Sequence, residues 1–140
     1  KEQGFRYHMS NIMAAIGLVQ INRLNEFKKK RQKISKTYLN AFKDIQQVRV
    51  LDFDYDEILP HIFVIKVPKR DELKEYLQSN NIECGIHWKP NNMHKKYKED
   101  FTLPITEKVY EQILTLPCHF DLTEEEQSFV INKVKKFFVK

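Results

Sequence analysis

The sequence predicts an α+β fold, in which a long N-terminal helix leads into a small three- to four-stranded sheet covered by helices. Three observations carry this expectation. Apolar residues recur at helical spacing from Ile12 to Phe42. HIFVIKV, His61 to Val67, is a β-branched run closed by Pro68. Thr123 and Glu126 form a capping-box pattern that opens a final amphipathic stretch.

Taken in order, Ser10 supplies a helix cap, and Ile12, Met13, Ile16, Val19, Leu24, Phe27, Ile34, Tyr38 and Phe42 mark one helix, bent or straight, from about residue 11 to 43. Its first half is apolar nearly all round, with the small residues Ala14, Ala15 and Gly17 among the larger ones. A chain of 140 residues covers such a surface with difficulty. An ordinary core helix is one reading, and packing against a domain or subunit outside this chain is the favoured one. The second half carries KKKRQK, Lys28 to Lys33, on a solvated face. Val48 to Leu51 reads as a short strand and His61 to Val67 as a longer one. Arg70 to Ser79 reads as a helix with Leu73, Tyr76 and Leu77 inward. After the Asn80–Asn81 turn, Ile82 to His87 reads as another strand, so that strand, helix and strand suggest a crossover unit. Trp88 to Lys98 is a loop with room for one helical turn. Thr106 is expected to cap a helix that runs to Leu116, where Pro117 stops it. Phe129, Val130, Val134, Phe137 and Phe138 line one face of the last helix.

Composition narrows the function classes. Hydrophobic content of 41% with ten Phe excludes a disordered chain. The net charge of +5 comes from mixed signs and bears on solubility and weak anion attraction more than on fold. Cys84 and Cys118 belong to no CxxC pair, so no zinc knuckle or redox pair is suggested; free thiols are the expectation and a single disulfide the lesser reading. No run reaches the length of a membrane span, and no signal peptide is visible.

The candidate chemistry lies in three places. Arg6, Tyr7 and His8 precede a capped helix, a pattern suited to an anion, although a solvent-facing Arg is an equal reading. His87, Trp88 and His94 sit on a loop leaving a strand end, where a stacking face and ring nitrogens suit binding; a partly packed surface loop is the alternative. His61 begins a strand and is expected to be a buried, hydrogen-bonded structural histidine. No HExxH or paired helical histidines occur, so no metal site is expected. The run FKKKRQK raises nucleic-acid binding as a rival function, but it lacks interleaved aromatics, and a solvated helix face is the simpler account. No nucleophile elbow or glycine-rich phosphate loop is visible, and no catalytic residue is assigned.

The segment GFRYHMSNIMAAIGLVQINRL resembles the signature of the DegT/DnrJ/EryC1/StrS family of sugar aminotransferases, through Gly4, Met9, Ser10, Ala14, Ala15, Ile16, Gly17, Gln20 and Leu24. HIFVIKV, RDELKEYL, IECGIHWKPNNMH and ILTLPCHFDLTEEE resemble further family segments in the same order, so the likeness spans nearly the whole chain. It implies the C-terminal part of a fold-type I transferase that depends on pyridoxal 5'-phosphate (PLP). Residues 1–45 would be an interdomain segment and long linking helix, and residues 46–140 the small C-terminal α/β domain.

Further expectations follow from the resemblance. Family members move an amino group, usually from glutamate, to a keto nucleotide-sugar in the cytoplasm, as homodimers. The lysine that holds the cofactor belongs to an S-F-x-x-x-K-type segment ahead of Gly4. The chain alone is then expected to be inactive and to need a large N-terminal domain. Arg6, Tyr7 and His8 would bind the cofactor, and His87, Trp88 and His94 would border the substrate. Arg6 stands where the family has Asn, and His8 where it has Arg; an Arg keeps a phosphate contact open and adds charge. Neither nucleic acid nor membrane is an expected partner. The alternative is a non-catalytic nucleotide-sugar binding or structural module of the same family.

Overall fold

The computed structural model describes residues 7–51, 53–97 and 101–138. Helix α1 spans Asn11–Asn22 and α2 spans Leu24–Phe42. Strand β1 is Arg49–Val50, β2 is Phe63–Lys66, and α3 is Arg70–Gln78. Short 3-10 turns at Asn91–Met93 and Lys95–Tyr97 precede α4, Pro104–Tyr110. Strand β3, Ile113–Leu116, and α5, Glu124–Phe138, complete the chain order.

The sheet runs β1-β2-β3 with every pairing antiparallel. In the central ladder Phe63 faces Leu116 and Ile65 faces Leu114, and all four are buried. Because side chains alternate across a strand, these residues share one face. That face packs on Tyr38 and Phe42 of α2, Leu73 and Leu77 of α3, and Val130 and Val134 of α5 in one apolar core. Tyr38 lies 4.9 Å from Phe63 between ring centroids and stacks on Phe42 at 5.8 Å. Burial pushes the Tyr38 phenol well above its ordinary range, with nearby Cys118 adding to the shift.

The expected α+β layout is present, with four differences in its parts. The long helix breaks at Arg23, whose φ of −93° and ψ of 0° lie at the edge of the right-handed helical region. Its guanidinium sits 4.7 Å over the Phe27 ring and 5.4 Å over Phe120, and it pairs with Glu26 at 3.1 Å. These contacts hold the side chain at the break. The Ile82 to His87 stretch forms only a bridge, in which Gly85 and Thr115 exchange two backbone hydrogen bonds. It lies along β3 on the side away from β2, and both run antiparallel to β3, so α3 joins two parallel segments with β3 between them rather than two neighbouring strands. The helix predicted from Thr106 to Leu116 starts earlier and stops sooner. Pro104 stands in its first turn, and the Glu107 carboxylate accepts the Leu103 N–H at 2.9 Å. ILTL becomes a strand instead, because β2 offers it a ladder and a core face. The fourth difference is His61, which is exposed and precedes β2 rather than lying buried within it.

Other expectations hold locally. Ser10 accepts from Met13 N at 3.2 Å, and Thr123 and Glu126 exchange reciprocal bonds at 3.1 and 2.9 Å. Both cysteines are free and buried. The basic run does more than face solvent. Arg31 donates to the Pro60 and His61 carbonyls, Gln32 to those of Asp56 and Ile58, and Lys28 to that of Glu57. Lys33 pairs with Glu124 at 2.5 Å. Much of its donor capacity thus pins the loop ahead of β2, which weakens the case for a nucleic-acid surface. Among the described residues no helix is long and apolar enough to cross a membrane.

Candidate functional site: an aromatic and histidine cluster beside the sheet

Thr115 sits in the middle of β3, with its side chain on the face opposite Leu114 and Leu116. Its backbone bridges Gly85, and its hydroxyl lies 3.0 Å from His87 Nδ1. The His87 ring folds back over Gly85 so closely that a Cβ there would lie 2.5 Å from His87 Cε1. Only a residue without a Cβ leaves room for this ring position. Gly85→Ala is therefore expected to expel His87 from Thr115 and lower stability by about 0.5–1.5 kcal/mol, as the loss of a part-buried hydrogen bond does, with a lower urea midpoint and an unchanged m-value.

Trp88 follows and remains 66% exposed. Its indole meets the edge of His87 at 5.3 Å between centroids, with planes at 69°. On another side it stacks with His61 at 6.1 Å and 21°. His61 is in turn held by its carbonyl, which accepts from Arg31 Nη1 at 2.7 Å. The loop continues through the buried Pro90 to Asn92, whose amide donates to Glu107 at 2.8 Å and ties the loop to α4. Next to His87, a cavity of about 670 Å³ opens between the Gly85 segment and the start of α5, lined by Ile82, Cys84, Leu116, Leu122, Phe129 and Val130 among others. Burial raises the Cys84 thiol above its ordinary range, and nearby Lys74 offsets only part of this. Such a thiol packs rather than reacts.

The structure therefore joins two of the three residues expected on this loop, His87 and Trp88. His94 is exposed, and among the described residues no hydrogen bond or ring contact links it to either. His61 completes the cluster and was missed. The only signal for it was a histidine directly ahead of a strand, which is equally consistent with burial. Tyr7 and His8 are exposed just ahead of α1, and Arg6 lies outside the described residues. Among the described residues no group of three or more His, Cys, Asp or Glu side chains is placed to hold a metal ion.

Known proteins are similar to this chain along nearly its whole length. An uncharacterized protein of Methanocaldococcus jannaschii is 28% identical over 96% of this chain, which spans only 38% of that relative. An aminotransferase from Brucella abortus superposes with a TM-score of 0.79 at 29% identity, over 92% of this chain and 36% of its own. A Streptococcus pneumoniae protein assigned as a sugar aminotransferase and solved in a PLP form gives 0.84 at 27% identity, over 91% and 35%. DesV of S. venezuelae, at 20% identity, shares the fold with a TM-score of 0.90 over the whole chain and 39% of its own. The chain thus spans about two-fifths or less of these relatives. The model of the DegT/DnrJ/EryC1/StrS aminotransferase family matches residues 1–135, and the chain belongs to that family.

Proposed function

We propose that this chain is the C-terminal part of a PLP-dependent aminotransferase that moves an amino group from glutamate to a keto nucleotide-sugar. In this reading residues 1–45 are the interdomain segment and linking helix, and residues 46–140 the small domain. The remainder is an N-terminal large domain that holds the cofactor lysine, in a cytoplasmic homodimer. The observation that carries the reading is α1. It has no buried side chain, although Ile12, Met13, Ile16, Leu18, Val19 and Ile21 are all apolar and exposed. Among the described residues, a Cβ at Gly17 would meet nothing within 4 Å, so none of them requires a glycine there. An apolar helix with a small-residue face suits a neighbour that the chain itself does not supply. The coverage of about a third of the related aminotransferases supports the same view.

The residues ahead of α1 fit a phosphate group. Tyr7 and His8 are exposed there, where they can reach a group held by another domain or subunit, and Arg6 adds a guanidinium. When bound, PLP supplies the electron sink for amino transfer. This chain supplies binding and orientation. Arg6, Tyr7 and His8 hold the phosphate. Trp88 offers a flat apolar face to the sugar substrate, and His87 aims a ring nitrogen at its polar groups. With Nδ1 committed to Thr115, that role falls to His87 Nε2. His94 borders the same substrate from further along the loop.

The test uses the longest gene product that contains this chain. Arg6→Ala is expected to weaken PLP retention about ten- to a hundredfold, the worth of one charge-assisted hydrogen bond, by equilibrium dialysis. Unchanged retention removes Arg6 from the cofactor site. His87→Ala is expected to raise KM for the sugar about tenfold and to leave that for glutamate nearly unchanged. Equal effects on both would make the loop structural.

A further inference from the structure

His61 has no assigned role, and the fold spends several contacts on placing it. Arg31 of α2 reaches across to its carbonyl at 2.7 Å and to that of Pro60 at 3.3 Å. The neighbouring Gln32 takes two more carbonyls of the same loop. The imidazole that results lies nearly parallel to the Trp88 indole, 6.1 Å between centroids. His87, itself fixed to Thr115, meets the indole from a second direction. Trp88 is thus bracketed by two rings, one whose side chain bonds Thr115 of β3 and one whose backbone is held by Arg31 of α2. Yet it buries only about a third of its surface, so the bracket adds little to stability. What the bracket does fix is the direction of the exposed indole face.

We infer that His61 is a positioning residue for Trp88, holding the indole in the orientation that receives the ring-bearing substrate. This rests on the substrate reading of the 87–94 loop given above. The chain of cause runs from Arg31 through the 60–61 backbone to the His61 ring, and from there to the indole. His61 need not touch substrate. An exposed aromatic without such a support samples several rotamers, and substrate then has to select one of them. An aromatic pair contributes about 0.5–1.5 kcal/mol beyond its buried area, which corresponds to about a two- to tenfold change in binding.

The experiment compares His61→Ala and His61→Phe with the parent in the longest gene product, each paired with its Trp88→Phe counterpart. The difference in emission within each pair isolates the Trp88 signal from any other tryptophan. Acrylamide quenching is measured without substrate, and Michaelis constants are measured for the sugar and the amino donor. His61→Ala is expected to raise the quenching constant of Trp88 and to raise KM for the sugar about two- to tenfold, with the effect on KM rather than kcat. His61→Phe, which restores a flat ring, is expected to return both values toward the parent. Quenching that ignores the His61→Ala change, or a KM effect that Phe fails to rescue, would overturn the positioning role. Trp88→Ala with an unchanged sugar KM would overturn the substrate role of the loop itself, and with it this inference. The quenching measurement tells the two failures apart because it needs no substrate.

Discussion

Tyr38→Ala is expected to lower the unfolding free energy by about 3–5 kcal/mol, the range for truncating a fully buried aromatic. Tyr38 has no exposed surface and sits where three parts of the fold meet. Its ring stacks on Phe42 of the same helix and tilts against Phe63 of β2 at 4.9 Å. Its hydroxyl donates to the Pro117 carbonyl at 3.0 Å, at the exit of β3. Truncation removes the ring from between α2 and the sheet, and the neighbours fill such a gap only in part. Tyr38→Phe separates the two contributions. It keeps the ring and leaves the Pro117 carbonyl unpaired, a loss of about 1–3 kcal/mol. Urea unfolding followed by circular dichroism checks both. An alanine variant within about 1 kcal/mol of the parent would contradict the core described here.

Arg70→Ala is expected to be nearly as damaging, at about 2–4 kcal/mol, because it orphans acceptors inside the fold. Arg70 opens α3 and is only 6% exposed. Its Nη1 donates to the Tyr110 carbonyl at 2.9 Å and the Ile113 carbonyl at 3.3 Å. These carbonyls belong to the end of α4 and the start of β3, so one guanidinium joins α3 to the chain that enters the last strand. The ring of Tyr110 lies 5.4 Å beneath it. Nε lies 2.7 Å from the Asp71 carboxylate, close enough for an ion pair though not aligned as a hydrogen bond. Asp71 is largely exposed, so water screens that pair, and the carbonyl contacts dominate. Arg70→Lys keeps the charge but lacks the planar fork, and should recover less than half of the loss. Full recovery in the lysine variant would show that charge, not geometry, matters at this position.

Some of this was legible in the sequence, and the residues say why. Caps are local, so Ser10 with α1 and Thr123 with Glu126 could be read directly. The inward face of α5 followed from helical spacing, as Val130 and Val134 show. The ILTL run could not be read, because four apolar residues fit a helix end or a strand equally well and the partner strand decides. Ile82 to His87 carried a strand-like pattern, but only Gly85 finds a ladder partner, and the chain then turns away so that His87 can cover that glycine. The basic run was read as a solvated face because its partners are backbone carbonyls, which have no sequence signature. The stacking of His61 on Trp88 joins residues far apart in the chain, and nothing local signals it. The family signature, in contrast, was visible as five ordered segments, and the match over residues 1–135 agrees with it.

On the proposed reading, this chain is the small-domain part of a PLP enzyme whose cofactor lysine lies outside it. The most direct test takes the longest gene product containing this chain, adds PLP, records the absorbance spectrum, and treats the sample with borohydride. The expected result is a cofactor band that borohydride removes, with the covalent label mapping to a lysine ahead of Gly4. A protein that takes up no cofactor, or one labelled at a lysine within residues 4–140, would contradict it, and the absence of uptake would favour a non-catalytic binding module of the same family.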